Sequence, residues 1–119
     1  MTVGASTDAV LQAVEVVTRT YVCRDEPEVT DFLRANGEVA FLMLQVLPAL
    51  QDSFGPYVQP TASIMVDPEG AGRRLLVLGI PTSDDVPAAL AGMDHFDTTW
   101  LLENLDRTEG RVAFTLDFQ

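Results

Sequence analysis

The chain's only histidine and only tryptophan share one stretch, Met93-Asp94-His95-Phe96-Asp97-Thr98-Thr99-Trp100. An imidazole beside carboxylates is the usual equipment of general acid–base chemistry, and an indole beside a carboxylate can line a ligand cleft. His95, however, has only Asp94 next to it and Thr99 one helical turn on, so no proton relay is spelled out. No His-x-x-x-His, Cys-x-x-Cys or Glu-x-x-His spacing occurs. A zinc site would have to be built mainly from carboxylates, and no metal or other cofactor is expected. The nucleophile-elbow pattern Gly-x-Ser-x-Gly is also absent. Gly70 and Gly72 lie in a loop without the Lys-Ser/Thr of a phosphate loop, and a strand follows it rather than a helix. No catalytic residue is assigned.

Asp97 is the anomaly. On a helical wheel of about 100° per residue counted from Val86, the residues Leu90, Met93, Trp100 and Leu101 form an apolar arc, and Asp97 falls inside it at about 20°. His95 falls at about 180°, toward solvent. A carboxylate on a core face must be hydrogen-bonded, paired or protonated. Asp97 is therefore the N-cap of a helix that restarts at Thr98, or the partner of an arginine such as Arg73, Arg74 or Arg111, or a functional acid. The last reading groups Asp97, Trp100, Arg73 and Arg74 as a candidate ligand-binding set. Cys23, the single cysteine, closes an alternating run with no thiol or imidazole near it in sequence and reads as a structural thiol.

The chain has 119 residues, with 18 acids against 7 arginines and no lysine, for a net charge of −11. Nucleic acids and anionic membranes draw affinity from clustered cations, and the only adjacent pair is Arg73-Arg74, so neither is an expected partner. An acidic coat favours solubility and could attract a basic protein. With 47% hydrophobic residues the chain can bury a core and is no disordered acidic tail. A lone cysteine permits no internal disulfide, and the longest apolar run, Val39 to Leu50, is too short to span a bilayer. The cytoplasm is the expected location.

These residues need elements to position them. Residues 1–7 read as frayed. The alternation of Val14, Val16, Thr18, Thr20 and Val22 reads as a strand over 14–23, with a helix over 7–17 competing. Pro27, after acidic Asp25 and Glu26, opens a short helix that Asn36-Gly37 ends. A second helix from Glu38 is apolar on almost every side and should kink or restart near Val46-Leu47 because of Pro48. Its Phe41, Met43, Leu44 and Leu47 exceed what one small core covers, and they form a candidate dimer or partner surface. Strands follow at Thr61–Val66 and Leu75–Ile80, joined by a hairpin loop over 67–72, the second strand apolar on both faces as a central strand is. Ser83 is the expected cap of a helical stretch over 83–106, with Asp84 and Asp85 in its first turn. Val112, Phe114, Leu116 and Phe118 alternate in a last strand. The order β-αα-β-β-α-β predicts one α+β domain over residues 1–119, an antiparallel sheet of about four strands with helices on one face, of ferredoxin-like type.

From Asp31 to the C-terminus the sequence resembles a group of small bacterial proteins. The likeness is carried by Phe32-Leu33, the apolar helix, the two-strand segment, Phe96-Asp97-Thr98-Thr99-Trp100 and the terminal Leu116-Asp117-Phe118. It departs where those proteins tend to carry a second Trp, since Leu101 stands here. The group has no established activity, so the resemblance imports a fold-sized pattern. It implies that Asp97 and Trp100 are structural glue at a helix break.

The leading expectation is a non-enzymatic interaction module, a homodimer or homo-oligomer, or the companion of another protein. A small-ligand binder or enzyme with a cleft at Asp97, Trp100 and the arginines is the alternative. An acidic inhibitor or antitoxin-like partner of a basic protein comes third.

Overall fold

The fold is given by a computed structural model that describes residues 7–69, 72–83 and 85–118. The expected fraying of 1–7 falls, apart from Thr7, outside the described residues, as do Gly70, Ala71 and Asp84.

The first element corrects the strand expected over 14–23. Thr7–Thr20 is a helix, α1, and only Val22–Cys23 is extended, as β1. Ala13, Val14, Val17 and Tyr21 are the buried residues of this stretch, at i, i+1, i+4 and i+8. That is helical spacing, and burial on one face outweighs the few tenths of a kcal/mol per residue that β-branched side chains cost a helix. The hydroxyls of Thr18 and Thr20 donate to the carbonyls of Glu15 and Val16, which satisfies them inside the helix.

Asp25, at φ 56°, caps α2 (Glu26–Ala35) by accepting from the Glu28 amide, with Pro27 in the first turn. Then α3 runs unbroken from Gly37 to Phe54. The restart expected near Val46-Leu47 does not occur: the loss of the Pro48 N–H is absorbed inside a helix packed against α1 and α2, and the i+4 donor of the Leu44 carbonyl is simply missing. Gly37 lets α1 come close, since a Cβ there would stand 2.9 Å from a methyl of Val10.

After β2 (Thr61–Val66) and β3 (Arg74–Thr82), helix α4 (Val86–Phe96) is capped by Asp85, which accepts from the Ala88 amide at 2.8 Å, and not by Ser83. The single stretch expected to 106 is divided. A π-helical turn (Asp97–Leu101) and a 3₁₀ turn (Leu102–Asn104) lead into α5 (Leu105–Thr108) and then β4 (Val112–Phe118).

The sheet has the order β1-β2-β3-β4. Only β2 and β3 are antiparallel; β1 with β2, and β3 with β4, are parallel. This corrects the expected antiparallel sheet: the protein is α+β with a mixed four-stranded sheet. In a split βαβ arrangement another strand separates the parallel pair, whereas here each helical crossover returns its strand beside the one it left. Because α1 takes the residues that alternation assigned to a strand, β1 keeps two residues and sits at an edge.

Along the register, Ala62, Leu78 and Phe114 share a row, as do Ile64, Leu76 and Val112. These side chains join Val29, Leu33, Leu42, Met43, Val46, Leu50 and Phe96 in one core. The helices thus cover one face of the sheet. The other face, carrying Val22, Met65, Leu75, Val77, Pro81 and Ala113, adds nothing to that core.

Candidate functional site

Asp97 sits at the start of the π-helical turn with φ −59° and ψ −47°. An N-cap needs extended backbone and a side chain that accepts from the next turn, so the capping reading fails. The arginine reading fails too: among the described residues no arginine lies in ion-pair reach of Asp97. Its Oδ1 is buried with no hydrogen-bond partner. Burial, and secondarily the Asp94 charge, push its pKa above the usual carboxylate value.

The core face of α4 explains this placement. Ala89 and Phe96 are fully buried and Met93 packs on the core, while Val86 and Leu90 are 55% and 56% exposed. The true face lies about 60° round the wheel from the apolar arc, which leaves Asp97 on its flank. Small residues decide this. A Cβ on Gly92 would stand 2.7 Å from the Phe54 ring, so α4 approaches α3 closely at Gly92. Trp100, half-buried, stacks on Phe96 with ring centroids 5.6 Å apart, and Phe96 tilts against Phe114 at 5.1 Å. The aromatic pair of the Phe-Asp-x-x-Trp stretch is packing material.

His95 is exposed as expected, yet its Nδ1 is 2.9 Å from Ser53 Oγ, and its Nε2 is 3.9 Å from Asp52 Oδ2. Serine, histidine and aspartate are the groups of a nucleophilic triad. The carboxylate is too far for a hydrogen bond and 72% exposed, and the last turn of α3 offers carbonyls where an oxyanion needs N–H donors. The contact ties α3 to α4. Cys23 is half-buried on the core side of β1, its thiol pushed to higher pKa by burial and by Glu26, which suits a structural role.

Arg73 and Arg74 are elsewhere. His95 meets the C-terminal end of α3 while Arg107 contacts Gln45 and Arg111 approaches Glu38, so the segment runs antiparallel along α3. Asp97 and Trp100 lie toward one end, and Arg73 and Arg74 beside Asn36 at the other. The candidate set is not brought together. What gathers instead is Arg73, Arg74 and Arg111 with Asn36, Glu109 and Gly110, around a hollow of about 340 Å³ over Phe32. The sequence named Arg111 beside Arg73 and Arg74 only as a possible partner of Asp97, and no spacing joins it to Asn36.

Of the proposed interface residues, Met43 is fully buried and its carbonyl accepts the Tyr21 hydroxyl at 2.6 Å. Phe41 and Leu47 are half-buried and Leu44 is 39% exposed. Leu44, Leu47 and Pro48 line an apolar groove of about 140 Å³ against Val16 and Thr20 of α1. Among the described residues no three His, Cys, Asp or Glu side chains gather to hold a metal ion, and no helix is long and apolar enough to cross a membrane. Comparison with models of protein families, with curated proteins and with solved structures finds no match.

Proposed function

We propose that the chain is a non-enzymatic interaction module that pairs with a second copy of itself through the helix-free face of its sheet. The observation that supports this is β3. Its sequence is apolar on both sides, as in a strand covered twice, but only Leu76, Leu78 and Ile80 reach the core, and Leu75, Val77 and Pro81 face outward. Met65 and Val22 extend that face and are 44% and 49% exposed. A contiguous apolar face of this kind is a docking surface.

The near absence of charge on this face lets a second copy occupy it. Two molecules of net charge −11 repel wherever acids meet, and Asp117 is the one acid that the strand register places on this face. Thr61, Ser63 and Thr115 supply the remaining polar groups, all uncharged. The half-buried thiol of Cys23 fits a reducing compartment, and we assign the module to the cytoplasm. The likeness to small bacterial proteins stays part of this proposal.

Sedimentation over a wide concentration range tests it. The wild type forms a dimer, and Val77→Glu, which sets a charge in the middle of the face, shifts it to monomer. Thr115→Arg, at an exposed position of β4, does the same if the first variant folds poorly. Leu44→Glu, in the α1–α3 groove, leaves the dimer intact. A wild type that stays monomeric throughout, or a dimer that survives both sheet variants and dissociates with Leu44→Glu, overturns the proposal.

A further inference from the structure

We propose that Arg73, Arg74 and Arg111 form a binding site for the phosphate of a small soluble organic phosphate. The charge pattern is the first reason. In a chain with 18 acids and 7 arginines, every guanidinium has carboxylates to choose from. Arg19 pairs with Glu15, Arg107 bonds Gln45 and Asn104, each at 3.0 Å, and Arg111 lies 3.9 Å from Glu38. Arg73 and Arg74, like Arg24 and Arg34, make no side-chain hydrogen bond or ion pair with any described residue. What sets Arg73 and Arg74 apart is that they line one hollow together with Arg111, where an anion would offset the repulsion of like charges.

Shape and donor chemistry are the second reason. Each guanidinium presents a planar fork that grips two oxygens, so three of them around one hollow suit a phosphate better than a singly charged carboxylate. Gly110, at φ 75°, lets the Arg73 side chain lie against the backbone, since a Cβ there would stand 3.1 Å from its Nη1. The hollow adjoins a second one, also of about 340 Å³, and the two share Phe32, Asn36, Arg73 and Arg74. A bare phosphate would leave that second space empty. Phe32 and Ala35 give it an apolar wall for an organic group. The Asn36 side chain donates to the Phe32 carbonyl at 2.9 Å, which leaves its carbonyl oxygen to accept from the ligand. Asp31 and Glu109 on the rim lower the local positive potential, so affinity rests on direct fork contacts more than on long-range attraction.

The same phosphate chemistry could be carried by a lipid headgroup, and titration of the full chain followed by amide NMR separates the sources. The ligands are adenosine monophosphate, inorganic phosphate and phosphatidic-acid vesicles. Adenosine monophosphate is expected to shift the amides of Asn36, Arg73 and Gly110, and inorganic phosphate to shift the same amides more weakly. Replacing both guanidinia, Arg73→Gln with Arg74→Gln, weakens the nucleotide by about tenfold or more, while Arg19→Gln leaves it unchanged. Silence with both soluble ligands, equal binding by the double variant, or binding to vesicles alone overturns the proposal.

Discussion

Asp97 carries the clearest residue-scale consequence. Asn caps a helix about as well as Asp, so a capping role would leave stability nearly unchanged on Asp97→Asn, whereas here a buried, unpartnered carboxylate oxygen is itself a cost. Asp97→Asn is therefore expected to raise stability at neutral pH by up to about 1 kcal/mol, measured by urea unfolding. The pH dependence has a definite sign. The folded pKa lies above the unfolded value of about 3.9, so the penalty is fully present at neutral pH and fades as pH falls through the folded pKa. The advantage of the Asn variant should vanish below about pH 4. An Asn variant less stable than wild type at pH 7 would show that Asp97 bonds something the geometry does not reveal. The sequence singled out Asp97 by its phase on a wheel. The wheel placed it mid-core because it weighed Val86 and Leu90 above Ala89 and Gly92.

Elements whose signals are local were legible. Asp25 and Pro27 start α2, the two-residue period of β4 needs only its own side chains, and the loop over 67–72 announces the β2–β3 hairpin by its composition. α1 was not legible in the same way. Val14, Val16, Thr18 and Thr20 satisfy strand alternation, while Ala13, Val14, Val17 and Tyr21 satisfy a helix, and only contact with α3 decides between them. The helix pair α3–α4 gives the element-scale prediction. Gly92→Ala should lower stability by about 1 kcal/mol despite the better helix propensity of Ala, because its Cβ would meet both the Phe54 ring and, at 3.2 Å, the Ser53 carbonyl. Leu90→Gln, on the exposed side, should stay within about 0.5 kcal/mol of wild type. Thermal unfolding of the two variants checks this, and the opposite ranking would return the core face to the large side chains.

For the whole molecule, net charge and the sheet's open face act against each other. Eleven excess negative charges oppose association of two copies, and salt screens that repulsion. Dimerisation through a nearly uncharged apolar face is thus expected to tighten as salt rises from about 0.05 to 0.5 M, as sedimentation would show. Phosphate binding at the arginine hollow should weaken over the same range, so the two sites separate by their opposite response. By itself the sequence determined strands β2, β3 and β4, the helices α2 and α3, and the apolarity of β3 on both sides, since each is written in residues near one another along the chain. Strand order, the parallel pairings, the π-helical turn at Asp97 and the meeting of Arg73 and Arg74 with Arg111 were decided only by tertiary structure. Each of these depends on which distant surfaces pack together, and local hydrophobic period carries no record of that choice.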